Sequence, residues 1–216
     1  MKYDKATEDA KREQAEIRRS RERANLPFAH MDEVIPYPES TGYGDKIRKW
    51  SAGYVEALRS GEPYGGLYLW GPSGYGKTFM AANIGKWALS RRLTTQFVDF
   101  RRLFDLKLNP APYDEDLLPG YTVWDSVQGA KVVIIDDVGR EANTKYGKNN
   151  ALTLESIVEN RHAAGLVTIM TSVLPPDRIH TVTSRRFEEV VKEACWTMEV
   201  SAVDYRTYFN RQRGEL

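Results

Sequence analysis

An α/β fold with a five-stranded parallel sheet flanked by helices is what this sequence predicts, on three observations. Short apolar runs alternate with segments of helical period along most of the chain. The first run, Leu67-Tyr68-Leu69-Trp70, passes directly into a glycine-rich turn and then a helical pattern. Another, Lys131-Val132-Val133-Ile134-Ile135-Asp136-Asp137, stays apolar until it ends in two acids, the pattern of a central parallel strand covered on both faces.

Composition sets the frame for these elements. A chain of 216 residues, 41% hydrophobic and 28% charged, can bury one good core. Lys and Arg number 31 against 30 Asp and Glu, a formal charge of +1, so no field of the whole molecule draws it to nucleic acid and any such surface is local. A single cysteine, Cys195, excludes an internal disulfide and suits a reducing compartment; beside the apolar Trp196 to Val200 it reads as a small core residue. The N-terminus is charged rather than apolar and no run approaches bilayer length, so neither a secretory signal nor a membrane span is expected, and the location expected is cytoplasmic.

In chain order, residues 1–24 are dense in both charges, with spacings such as Glu8 to Lys11 that suit a solvated helix, and form a helical or disordered arm. Residues 25–43 are a proline-containing linker through Asn25-Leu26-Pro27-Phe28 and Ile35-Pro36-Tyr37-Pro38. The remaining residues, 44–216, are the folded domain. It opens with an amphipathic helix from Gly44 to Arg59, whose stripe of Ile47, Trp50, Tyr54, Val55 and Leu58 is expected in the core and which Ser60-Gly61 ends. After the first strand and its glycine turn, Phe79 to Leu89 makes a helix packed on the sheet. Thr94 to Phe100 reads as a second strand, followed by a short helix through Leu103, Phe104 and Leu106, and Asn109 to Tyr121 reads as a proline-bearing loop or insertion. The third strand is Lys131 to Asp137. Leu152 to Arg161 is helical, Leu166 to Ser172 a fourth strand, and Pro175-Pro176-Asp177 starts a further helical region. Thr183-Ser184-Arg185-Arg186-Phe187 opens the helix that precedes a fifth strand at Trp196 to Val200.

Two of these landmarks carry chemistry. The spacing Gly71-x-x-x-x-Gly76-Lys77-Thr78 fits the Walker A pattern, in which glycines let successive backbone N–H groups converge on a β-phosphate with no Cβ in the way. Gly71, Pro72, Ser73, Gly74, Tyr75, Gly76, Lys77 and Thr78 are thus the candidate phosphate cradle for ATP. Lys77 would reach the β- and γ-phosphates, and Thr78 would offer its hydroxyl to Mg²⁺. At the end of the third strand Asp136 is expected to hold Mg²⁺ through water and Asp137 to orient and deprotonate an attacking water. A polar residue at the end of the fourth strand can contact the γ-phosphate or that water; Thr171 is the first choice and Ser172 the second.

With Gly71-Pro72-Ser73-Gly74-Tyr75-Gly76-Lys77-Thr78, Ile134-Ile135-Asp136-Asp137-Val138-Gly139, Thr168-Ile169-Met170-Thr171-Ser172, Ser184-Arg185-Arg186-Phe187-Glu188-Glu189 and Asp204-Tyr205-Arg206 in this order, the chain resembles the DnaC/DnaI-type helicase loaders of bacteria and phages, AAA+ ATPases close to the IstB-type transposition helpers. The resemblance covers about Leu26 to Arg206. It implies that Arg185, with Arg186 as substitute, is an arginine finger supplied to a neighbouring copy, and that Arg206 is a second nucleotide-sensing arginine. It implies ATP and Mg²⁺ as ligands, a homo-oligomer on single-stranded DNA, and a replicative DNA helicase as cargo. By the same resemblance Arg101, Arg102, Phe104 and Lys107 are candidates for gripping single-stranded DNA, with Phe104 equally placed to be core. The basic, aromatic Tyr208 to Arg213 could touch DNA or a neighbouring subunit, or fray. Glu189 stands where many members have a second arginine and Val173 where the sensor strand often ends in asparagine. The segment before Asn25 is short beside the family's helicase-binding domain, which leaves the partner open. The alternatives are an IstB-like helper binding duplex DNA and a transposase, a small-molecule kinase on the same loop, or an ATP-switched adaptor with little hydrolysis.

Overall fold

The computed structural model describes residues 5–27, 41–113, 118–140 and 145–204. Its elements are α1 (Lys5–Arg23), α2 (Tyr43–Ser60), β1 (Gly66–Trp70), α3 (Lys77–Ser90), β2 (Thr95–Asp99), α4 (Leu103–Leu108), α5 (Val123–Gly129), β3 (Val132–Val138), α6 (Lys145–Ala163), β4 (Val167–Ser172), α7 (Arg185–Ala194) and β5 (Cys195–Glu199). Two 3₁₀ turns, Phe100–Arg102 and Pro176–Thr181, join them.

The five strands form one sheet in the order β2-β3-β4-β1-β5, every pairing parallel. Parallel neighbours need crossovers, and the helices supply them on both faces. Alternate side chains of each strand therefore feed two cores. Tyr68, Val98, Val133, Ile135 and Met170 face Leu103, Val127, Leu154, Ile157 and Phe187 on one side. Leu67, Leu69, Phe97, Ile134 and Ile169 face Trp50, Tyr54, Met80 and Ile84 on the other. This two-sided burial is why β1 and β3 read as apolar runs.

The helix expected from Gly44 begins one residue earlier and buries Tyr43, Trp50, Ser51, Tyr54 and Ala57. Leu58, expected in its core stripe, stands outside it and is 38% exposed. The stripe turns instead through Ala57, because Trp50 Nε1 donates to Gly65 O at 3.0 Å and the Tyr54 hydroxyl to Lys131 O at 3.2 Å, which fixes the helix's rotation on the sheet.

The charged arm is helical, and it docks at its end. Asn25 takes a left-handed φ of 54°, tolerated by its short polar side chain, and closes the helix with Leu26 N donating to Arg21 O at 3.1 Å. Ala24 and Leu26 are buried in the core under α3 and β2. Phe97 N donates to Ala24 O at 2.8 Å and Asn25 Nδ2 to Phe97 O at 3.2 Å, so this short segment covers the outer edge of β2. Gly85 of α3 makes the room: a Cβ there would lie 2.7 Å from Leu26 Cδ2 and 2.8 Å from Ile134 Cδ1.

One buried cation braces the far end of the sheet. Arg161 is 1% exposed, and its five N–H groups meet five acceptors. Nε donates to Thr168 Oγ1 at 3.1 Å, Nη1 to Val127 O and Gln128 O at 3.1 Å each, and Nη2 to Ala130 O at 2.8 Å and Val167 O at 2.7 Å. Val127 and Gln128 lie in the last turn of α5, where carbonyls have no N–H of their own helix. Burial draws the guanidinium pKa down to about 10, partly offset by the Tyr54 hydroxyl.

Candidate functional site

β1 and β4 are neighbours in the sheet although β2, β3 and four helices separate them in the chain, and the crevice at their carboxyl ends receives the glycine loop. Gly71, Gly74 and Gly76 take positive φ values of 145°, 94° and 86°. A Cβ on Gly71 would lie 2.3 Å from Val200 O, so the loop's first turn is open to glycine alone. Gly76 caps α3 without a side chain, and the helix has no acid in its first turn. Its first N–H groups are therefore left as donors for an anion. Pro72 and Ser73 are exposed at the loop's tip.

Lys77 is buried at the first position of α3, and its Nζ donates to Gly71 O at 2.8 Å and Pro72 O at 2.7 Å. Burial lowers its pKa, opposed by the charges of Asp137 and Asp136. The cation thus sits inside the loop, with both acids near enough to favour it.

Asp136 is the hub. The Thr78 hydroxyl lies 2.9 Å and 3.0 Å from its two carboxylate oxygens, and Thr171 Oγ1 donates to Oδ1 at 2.5 Å. Burial raises the Asp136 pKa, the hydrogen bonds from Thr171 and Thr78 oppose this, and the charges of Asp137 and Asp99 add to it. Asp99, its register partner on β2, is held below the usual carboxylate range: burial raises it, but hydrogen bonds and charge from Arg101 outweigh that.

The strand pairing explains how two consecutive acids reach one crevice. Ile135 pairs with Met170 and Val138 with Ser172, so Asp136 and Asp137 together oppose Thr171 alone. This is a bulge, and Asp137 takes a left-handed φ of 59° within it. Thr171 secures it from β4: while its hydroxyl donates to Asp136, its oxygen accepts from Asp137 N at 2.9 Å. Ser172, the second choice, is engaged elsewhere, donating to Val138 O at 2.8 Å and accepting from Leu174 N at 3.1 Å.

Arg185 opens α7 behind the N-cap Ser184, whose side chain accepts from Phe187 N at 3.0 Å. Its side chain is 80% exposed and makes a loose 3.8 Å pair with Glu188. Arg186 is tied down, with Nε donating to Glu159 Oε1 at 3.0 Å and Nη1 3.6 Å from Glu189. Glu188 in turn accepts from Lys192 and from His180, the latter at 2.6 Å. Of the candidates for DNA, Arg101 is ion-paired with Asp99, Phe104 is half-buried, and Arg102 and Lys107 are exposed. Arg206 and the Tyr208 to Arg213 tail lie outside the described residues. The sequence reading passed over Arg140, whose Nη1 donates to Asp137 Oδ2 at 2.7 Å. Its one signal was a cation three residues beyond the second acid, across a glycine.

Two neighbouring hard oxygen groups on Thr78 and Asp136, an uncapped helix start and a lysine inside a glycine loop fit the phosphates and Mg²⁺ of a nucleotide. A parallel sheet of this order, with the glycine loop after β1 and the acids in the carboxyl end of β3, defines an AAA+ type P-loop fold.

The chain belongs to the family of IstB-like ATP binding proteins, whose family model matches residues 5–186. It is similar to the replicative helicase loader DnaI of Bacillus subtilis (strain 168), 28% identical over 139 residues, which are 62% of this chain and 42% of that protein. The chain thus matches less than half the length of that relative. Among solved structures, a crystal structure of DnaI is similar over 80% of this chain and 87% of its own, with a TM-score of 0.56 and 21% identity. A DNA replication initiation factor gives a TM-score of 0.60 over 84% of this chain and 52% of its own, at 16% identity. AMPPCP-bound DnaA from Aquifex aeolicus gives 0.55 over 81% and 52%, also at 16%. At these identities the structural likenesses bear on the fold. Among the described residues no helix is long and apolar enough to cross a membrane.

Proposed function

We propose that the chain is an ATP-hydrolysing helicase loader that assembles on single-stranded DNA and delivers a replicative helicase to it. The observation that carries this reading is the linked set Thr78, Asp136, Thr171 and Asp137, which joins the glycine loop, β3 and β4 in one hydrogen-bonded chain at the sheet's carboxyl end. When bound at Thr78 and Asp136, Mg²⁺ would screen the charge of the phosphates during transfer. Lys77 releases the loop carbonyls to bind the β- and γ-phosphates. Asp137 takes the proton of the attacking water, and Thr171 holds both acids in register. The exposure of Arg185 suits a cation given to a neighbouring copy, and Arg186, held by Glu159 and Glu189, does not suit it. Hydrolysis completed in this way depends on assembly.

The family membership favours a second reading, a transposition helper that binds duplex DNA and a transposase. Steady-state ATP hydrolysis, measured with single-stranded DNA, with duplex and without DNA across protein concentration, separates the two. Cooperative stimulation by single strands supports the loader, and stimulation by duplex alone supports the helper. Turnover that is flat throughout, with ATP still bound, would refute a site completed in trans. Lys77→Ala is expected to abolish binding or turnover, and a fully active variant would remove the site from this loop.

A further inference from the structure

Asp137 carries four polar atoms, and three of them are fixed. Its N–H donates to Thr171 Oγ1 at 2.9 Å, its carbonyl accepts from Arg140 N at 3.1 Å, and its Oδ2 accepts from Arg140 Nη1 at 2.7 Å. Among the described residues Oδ1 is the one left without a hydrogen bond. Residues 137–140 thus form a turn closed twice by the same arginine, once through its backbone and once through its side chain. Gly139, at φ 89°, sits third in that turn, and a Cβ on it would lie 2.8 Å from Val182 Cγ2, so the turn is seated against the chain that leads to α7. A short carboxylate at a strand's end, 32% exposed, would otherwise rotate freely about its last bond.

We propose that Arg140 is a positioning residue for Asp137: by holding Oδ2 it leaves Oδ1 as the acceptor presented to the attacking water. The inference rests on Asp137 as the acid that activates that water. As the water oxygen bonds the γ-phosphorus and the bond to the bridging oxygen breaks, the proton it releases passes to Oδ1. A base held in one orientation reacts faster than one that must find it, and a guanidinium fixes a carboxylate more firmly than an ammonium does.

The test is single-turnover hydrolysis by the full chain with single-stranded DNA at saturating protein, beside titration of a fluorescent ATP analogue. Arg140→Ala is expected to slow the chemical step by about three- to tenfold, the range between an exposed ion pair and a misplaced catalytic group. Affinity for the analogue should stay within about twofold. Arg140→Lys should recover part of the rate. In an Asp137→Asn background, Arg140→Ala should have no further effect, because there is no carboxylate left to hold.

An equal loss in that background, a faster rate in Arg140→Ala, or a tenfold weaker analogue affinity would overturn the proposal, the last by assigning Arg140 to the phosphates. Full turnover in Asp137→Asn alone would remove the water-activating role from Asp137 and the proposal with it. Melting temperatures of all variants guard against misfolding, and Arg140→Gln replaces Arg140→Ala if that variant melts early.

Discussion

Replacing Arg161 by methionine keeps the bulk of the side chain and removes its cation, and the structure sets the cost. Five acceptors lose their donor together: Thr168 Oγ1 and the carbonyls of Val127, Gln128, Ala130 and Val167. Bonds to a charged donor are worth roughly 1.5–3 kcal/mol each, but burying the guanidinium already consumed much of that sum. What remains is the penalty of leaving buried neutral acceptors unpaired, about 1–3 kcal/mol each, which with about two of the five finding no other donor comes to about 3–5 kcal/mol. For a domain near this size each kcal/mol lowers the melting temperature by about 2–4 °C, so Arg161→Met should melt about 6–20 °C lower. Circular dichroism melts and guanidinium titrations measure it, with an unchanged m-value as the check that the unfolded state is the same. Arg161→Lys, with three donors on a point charge, should recover only part. A fall of less than about 2 °C in the methionine variant would refute the idea that this cation caps α5.

Three more outcomes are expected. Asp136 has its pKa raised by burial, so the stability it gives is complete below the ordinary carboxylate value and is lost as pH rises through the raised one; at neutral pH its charge is a cost to the fold. Asp136→Asn should therefore melt higher without nucleotide at pH 7, lose hydrolysis, and gain no stability from Mg²⁺; a lower melting point would contradict this. Thr171→Val should cost about 1–3 kcal/mol by chemical denaturation, leave Asp137 N without its acceptor and depress turnover, while Thr171→Ser keeps both, and a fully active valine variant would free the bulge from Thr171. Leu26→Ala should cost about 2–4 kcal/mol and raise proteolysis of the preceding helix, and an unchanged protein would mean that the arm's docking is not held by this side chain.

β1, β3 and β4 were legible because each is buried on both faces and so carries a largely apolar run that ends where the sheet meets solvent, whereas β2 and β5 are mixed in sequence, and Trp196, Thr197 and Glu199 of β5 are exposed. The phosphate loop was legible because its backbone path admits only glycine at Gly71, which the spacing records. Thr171 could be preferred to Ser172 only weakly from the chain, since both end the same strand; the bulge that turns one to the acids and the other to Val138 leaves no mark in either residue. Leu26 looked like part of a linker because its partner is a glycine, Gly85, seen in sequence only as a weak point in a helix. Arg161 and Arg140 were passed over because their partners are mostly backbone carbonyls in one case and a neighbour across a turn in the other, and neither kind of partner has a periodicity.

The covering of β2 by residues 24 and 25 gives the sheet a direction in which it can grow. β5 ends the other side with Trp196 at 49% exposure, and among the described residues no strand pairs with its outer edge. Open-ended stacking of copies edge to edge would need a β5 of one chain to meet a bare β2 of the next, and Ala24 and Asn25 already occupy the middle of that edge through Phe97. Among the described residues the edge left bare is that of β5, and β5 meeting β5 of a second copy about a two-fold axis closes on itself at two copies. Removing two or three residues at the end of the arm would thus unblock a polymerisation route as well as weaken a core.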